Sequence, residues 1–299
     1  MATDAIIHNL FEPRTGTWQY VVADPETKHA VVIDPVLDFD PAKNTTSAES
    51  ADAIITLVKD KEYSVTKILE THVHADHITS AGYLQFKMAH YQGQRPDICI
   101  GKRVGQTQDH FGCRYGIPES EYKDAFDQLL DDDETFSIGK LEAKAIHLPG
   151  HTPDHLGYVI GENVFCGDSL FNPDVGSARC DFPGGSASTL YASARKMLSL
   201  PENFKIWTGH DYPPGGADGR ADPLAVTTVS EQKGSNKHLK HEVPEDEFIQ
   251  WRTTRDASLA APRLLHQSLQ LNIRAGKMPK ESASGDRLLH VPIQFNWEP

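Results

Sequence analysis

The chain has 299 residues, of which 38% are hydrophobic and 24% charged, with a formal net charge of −13 at pH 7. That length allows one large domain, or one domain with an appendage, around an ample core. The acidic balance argues against nucleic acid, whose phosphates require a basic face, and against docking on anionic lipid. The N-terminal stretch Met1 to Asn9 has no basic or Arg-rich amphipathic character, and no 18-residue apolar run occurs anywhere. A cytoplasmic protein without a membrane span is therefore expected. Cys99, Cys113, Cys166 and Cys180 form no C-x-x-C pair and read as reduced thiols, Cys166 in the core and Cys180 near a pocket.

In chain order, residues 5–40 read as a β opening. Thr17–Val22 and Ala30–Asp34 flank a polar turn at Asp24–Thr27, the signature of a hairpin. After a polar loop from Phe39, Ser50 is placed to cap a helix through Lys59, with Ala51, Ile54, Ile55 and Val58 on one face. A strand over Val65–Glu70, a helix over Ala81–His90, a strand over Asp97–Ile100 and a helix over Glu119–Leu130 follow. Phe136–Ile138 pairs with Leu141–Leu148; Leu156–Ile160 and Val164–Cys166 are apolar strands; Ser186–Leu200 is helical and Phe204–Thr208 closes the series. Beyond a loop at Pro213–Arg220 come a polar stretch at Glu231–Glu242, a helix over Glu247–Arg255 and an apolar-basic segment at Leu264–Arg274.

Thr71-His72-Val73-His74-Ala75-Asp76-His77 places four potential metal ligands within six residues, directly after a strand. Further candidates recur at His147, Pro149-Gly150-His151-Thr152, Gly167-Asp168 and Gly209-His210-Asp211. Imidazole is neutral enough near pH 7 to bind a divalent ion, and carboxylate neutralises its charge. A metal site is therefore expected. Asp34, ending an apolar strand, either supports that site or caps its own loop.

The order His-x-His-x-Asp-His, Pro-Gly-His-Thr, Gly-Asp, Gly-His resembles the metallo-β-lactamase superfamily over nearly the whole first 215 residues. Leu10–Pro13, Val32–Val36, Glu70–Thr79, Gly150–Pro153, Gly167–Leu170, Arg179–Phe182 and His210–Tyr212 are more specifically similar to its persulfide dioxygenases. The resemblance implies an α/β fold, a four-layer αββα sandwich, with a catalytic domain at 1–215 and a C-terminal extension at 216–299 packed on it. It implies one Fe(II) per chain, held by His72, His151 and Asp168, with His74, Asp76, His77 and His210 around them or at a second metal. It further implies that Arg179, Tyr212 and Thr152 contact a substrate containing glutathione, and that dioxygen oxidises its persulfide to sulfite. Lys233, Asn236 and Lys237 form a polar basic cluster that could reach the same carboxylates, and His147 and His155 flank the ligand His151. The expected partners are that small thiol and O2, with no nucleic acid and no membrane, and a homodimer is allowed. The same ligands also suit two zinc ions, as in a glyoxalase II-type thioester hydrolase. A metal-binding module without catalysis is the reading from another class.

Overall fold

The computed structural model describes residues 4–213, 215 and 219–297. Half of the expected loop at Pro213–Arg220 thus lies outside the described residues. The first half runs β1 (Ile6–Glu12), β2 (Thr17–Ala23), β3 (His29–Ile33), β4 (Val36–Asp40), β5 (Thr45–Ser47) and α1 (Glu49–Asp60). It continues through β6 (Ser64–Leu69), β7 (Ile78–Thr79), α2 (Ala81–Gln92), β8 (Asp97–Gly101), α3 (Val104–Tyr115) and β9 (Gln128–Leu130). The second half comprises β10 (Thr135–Ile138), β11 (Leu141–His147), β12 (Leu156–Ile160), β13 (Asn163–Phe165), α4 (Ala187–Leu198) and β14 (Lys205–Trp207). Then come β15 (Val226–Thr228), α5 (Val229–Ser235), α6 (Glu245–Asp256) and α7 (Leu265–Asn272).

Two six-stranded sheets result, in the orders β1-β2-β3-β6-β8-β9 and β10-β11-β12-β13-β14-β15, with a small sheet β5-β4-β7 beside them. Alternation along the strands explains the layers. Trp18, Tyr20 and Val22 of β2 meet Ala143, Tyr158 and Phe165 of the other sheet, while Val21 and Ala23 face Ile54, Leu84 and Met88 of the helices. On the far side, Ile146, Val164 and Ile206 pack against Leu190 and Met197 of α4 and Phe248 of α6. The four layers are helix, sheet, sheet, helix, as expected.

Several local expectations change. The segment Glu119–Leu130 is not a helix: it opens with a 3₁₀ turn at Glu119–Glu121 and ends in β9, parallel to β8. The Asp127 carboxylate accepts the backbone N–H of Ile98 at 2.9 Å, so that segment is tied to the sheet edge. A helix stands instead at α3. Ser50 lies inside α1, where Asp38 of β4 accepts from its N–H at 2.8 Å and its hydroxyl at 2.9 Å. The boundary expected at 215 cuts through the second sheet, because β15 pairs with β14. Residues after it complete that sheet and cover α3 and α4.

Candidate metal centre

The loops that follow β6, β11, β13 and β14 carry the donors, and the structure brings them together. His72, His151 and Asp168 form one group, and His74, Asp76, His77 and His210 another, with donor atoms in each lying within 4.8 Å of one another. Asp168 stands between the groups. Its Oδ2 lies 4.0 Å from His72 Nε2 and 3.7 Å from His151 Nε2, and its Oδ1 lies 3.6 Å from His210 Nε2. Glycines let the loops close this tightly. A Cβ on Gly167, at φ +47°, would meet Thr71 Oγ1 at 2.6 Å and His155 Nε2 at 2.8 Å.

Proton positions in the first group follow from its neighbours. Thr71 Oγ1 donates to Asp34 Oδ2 at 2.8 Å, so its 3.0 Å contact with His72 Nδ1 is one it accepts. His151 Nδ1 donates to the Arg179 carbonyl at 2.7 Å. Both Nε2 atoms therefore present lone pairs toward Asp168. Burial, then the nearby histidines, hold His72 well below the ordinary imidazole pKa, which keeps it a neutral ligand.

Asp34 also contacts His74 Nε2 at 3.1 Å, with Glu70 Oε2 at 3.3 Å. Burial opposes charge on His74, but these two carboxylates outweigh it, raise its pKa well above the usual value and hold a proton on Nε2, which leaves Nδ1 as the nitrogen facing the donor group. Asp34 therefore supports the site: its carboxylate holds His74 directly and His72 through the Thr71 hydroxyl.

The donor atoms fit a cation. His72 Nε2, His74 Nδ1, Asp76 Oδ2, His77 Nε2, Asp168 Oδ1 and His210 Nε2 are all buried without a hydrogen-bond partner among the described residues. So dense a group of unsatisfied polar atoms is costly in a core unless metal coordination satisfies them.

A cleft of about 1020 Å³ opens onto Asp76, His151 and Asp168. Its apolar walls come from Phe111 and Tyr115 of α3, Phe182, and the C-terminal Trp251, Leu265 and Leu269. Tyr212 lines it and stacks on His210, with centroids 5.8 Å apart and planes at 4°. Arg179 also lines it, but its guanidinium is held by both oxygens of Asp181 at 2.5 Å and by the Ala260 carbonyl at 2.8 Å. Arg252 is likewise paired with Asp256. The cleft cations without an ion pair among the described residues are Arg114, Lys237 and Arg255.

Thr152 needs correction as a substrate contact: it is fully buried and lines no part of the cleft. Of the basic cluster, only Lys237 reaches the cleft; Lys233 lies 3.9 Å from Glu202, and Asn236 is buried against the Gly176 carbonyl. Cys180 is buried, and its N–H donates to Asp256. His147 contacts the Pro153 carbonyl at 3.0 Å, outside the donor groups. His155 has a larger part than its flanking position suggested, since its Nε2 accepts the Asp168 backbone N–H. Arg114, Arg255 and Glu70 were not expected at the site from the sequence; a glutamate directly before the histidine run was the available signal for Glu70.

The metallo-β-lactamase superfamily model matches residues 13–210. Glyoxylase B2 of Dictyostelium discoideum is 41% identical over 298 residues, covering 99% of each chain. The mitochondrial persulfide dioxygenase ETHE1 of Bos taurus is 28% identical, over 91% of this chain and 89% of that protein. The crystal structure of ETHE1 from Myxococcus xanthus superposes with a TM-score of 0.70 at 27% identity, over 91% of this chain and 100% of that one. The similarity to persulfide dioxygenases is thus present but distant, and a glyoxylase relative is more similar. With its fold and donor loops in place, the chain belongs to the metallo-β-lactamase superfamily.

Proposed function

We propose that this chain is a metal-dependent enzyme acting on the sulfur-linked end of an anionic thiol conjugate of the glutathione type. The observation that carries the reading is the meeting of two features. Unsatisfied imidazole and carboxylate donors lie at the floor of a cleft whose walls present Arg114, Lys237 and Arg255, which have no ion pair among the described residues. Bound at the donors, two metal ions would supply Lewis acidity toward a thioester carbonyl and an acidified water, whereas a single Fe(II) would supply open positions for sulfur and dioxygen. The protein's own part is positional. Asp34 orients His74 directly and His72 through the Thr71 hydroxyl, the Arg179 carbonyl orients His151, and His155 holds the backbone of Asp168. Phe111, Tyr115 and Phe182 exclude water, and the cations take the substrate's carboxylates.

Of the two reactions, thioester hydrolysis has the stronger support: the 41%-identical relative carries a glyoxylase name, and Asp168 spans both donor groups. Persulfide dioxygenation is supported by the two-histidine, one-carboxylate group of His72, His151 and Asp168, and by the 28%-identical relatives. The test loads the protein separately with zinc and with iron(II), then assays thioester cleavage and oxygen uptake on glutathione persulfide. Two zincs per chain with thioester cleavage supports the first reaction, and one iron with oxygen uptake the second. Inertness toward both substrates would sink the proposal.

A further inference from the structure

A hydrogen-bonded chain leads from the β1–β2 turn to the second donor group. Glu12 is buried. Its carboxylate accepts from the Arg14 N–H at 2.7 Å, the Thr15 N–H at 2.8 Å and Thr15 Oγ1 at 2.5 Å. Thr15 Oγ1 meets Thr17 Oγ1 at 2.7 Å, and Thr17 Oγ1 lies 3.4 Å from His77 Nδ1 and 3.3 Å from His210 Nδ1. A hydroxyl carries one proton. Thr15 directs its own to the carboxylate, so Thr17 must donate to Thr15. The Thr17 oxygen is left able only to accept, and both histidines must bring their protons on Nδ1. Each ring then presents Nε2 as a lone pair: among the described residues neither Nε2 has a hydrogen-bond partner, and Asp76 Oδ2, another ligand atom of that group, lies 3.2 Å from His210 Nε2.

The turn is latched to the loop that bears His210. Trp18 N–H donates to the Gly209 carbonyl at 2.8 Å, and Asp211 N–H to the Gly16 carbonyl at 2.9 Å. Gly16, at φ +72°, has no room for a Cβ, which would lie 2.9 Å from both Asp211 O and Tyr212 Cε1. The geometry therefore holds Thr17 against both rings. We propose that Glu12, Thr15 and Thr17 are positioning residues that fix the Nδ1–H form of His77 and His210, and so aim two ligand lone pairs into the second donor group. The inference rests on the proposed metal site only for what those ε nitrogens hold.

The experiment uses full-length protein labelled with ¹⁵N histidine, read by NMR without metal and during titration with zinc alone. In the wild type, Nδ1 of both His77 and His210 should carry a proton. Thr17→Val and Thr15→Val should lose that state in at least one ring and weaken the weaker zinc-binding event by about 10–100-fold. Thr17→Ser should behave as wild type. Among the described residues the Thr15 hydroxyl bonds Glu12 and Thr17 and neither ring, so an effect there is relayed through Thr17. An unprotonated Nδ1 in either ring of the wild type overturns the inference, as do valine variants with unchanged tautomers and zinc affinity. If the wild type turns over neither thioester nor persulfide, the functional reading fails while this readout remains.

Discussion

His155 accepts the backbone N–H of Asp168 on its Nε2 at 3.0 Å, and its ring stacks on His72 with centroids 4.8 Å apart at 22°. One residue that is not itself in either donor group thus braces two that are. Burial, first, and then the neighbouring histidines keep its pKa well below the usual value, so the ring stays a neutral acceptor. His155→Phe keeps the ring but removes that acceptor. The expected result is a folded protein whose metal affinity drops about 10–100-fold, measured by competition with a chelator. Wild-type affinity in this variant would show that the backbone of Asp168 needs no such support.

On the proposed reading, the cleft cations act on binding rather than on the chemical step. Lys237→Ala combined with Arg255→Ala should raise KM for a glutathione-type substrate by roughly 10-fold, with kcat nearly unchanged. Steady-state kinetics read this directly. A fall in kcat at constant KM would place the substrate's carboxylates elsewhere.

Thiol reactivity should be confined to one position. Burial pushes the thiols of Cys99, Cys166 and Cys180 up to about 12, whereas Cys113 is exposed on α3. At pH 8, a thiol reagent should label one cysteine per native chain and all four after denaturation. Fast labelling of Cys180 in the native protein would mean that the wall around Asp256 opens.

Asp24 links the two sheets and makes stability depend on pH. Its Oδ2 accepts from Thr27 Oγ1 at 2.6 Å, in its own hairpin, and from Lys140 N–H at 2.7 Å, in the hairpin between β10 and β11. Burial works against its charge, but these bonds and the Glu26 N–H outweigh it and lower its pKa to about 2. The folded-state value is depressed, so the stabilisation is fully present above the unfolded carboxylate range, about 3.9, and is lost as pH falls toward 2. In urea denaturation, Asp24→Asn should be less stable than wild type by about 2 kcal/mol at pH 6, with the gap closing at low pH. A gap that stays constant down to pH 2 would contradict this assignment.

Much of the site could be read from the sequence because its donors follow strand ends in short motifs rich in glycine. His72, His151, Asp168 and His210 needed only the loops to converge. Connections that cross the fold could not be read. The Thr17–His210 contact spans 193 positions, and no local pattern announces it. The C-terminal cleft wall shows a similar limit: the apolar character of Leu265 and Leu269 marks a buried face without saying what it faces. Helix α3 was hidden because Gly105 and Gly112 interrupt the apolar pattern of Val104, Phe111 and Tyr115. Gly112 is required there because the ring of Tyr122 packs directly against it.

On the proposed reading, Asp168 joins His72 and His151 in holding the metal on which turnover depends. The most direct test is the metal content of wild type and Asp168→Ala after loading and desalting, measured beside turnover. The wild type should retain at least one metal ion per chain, and the variant should lose both the metal and the activity. A variant that keeps wild-type metal content and turnover would contradict the account.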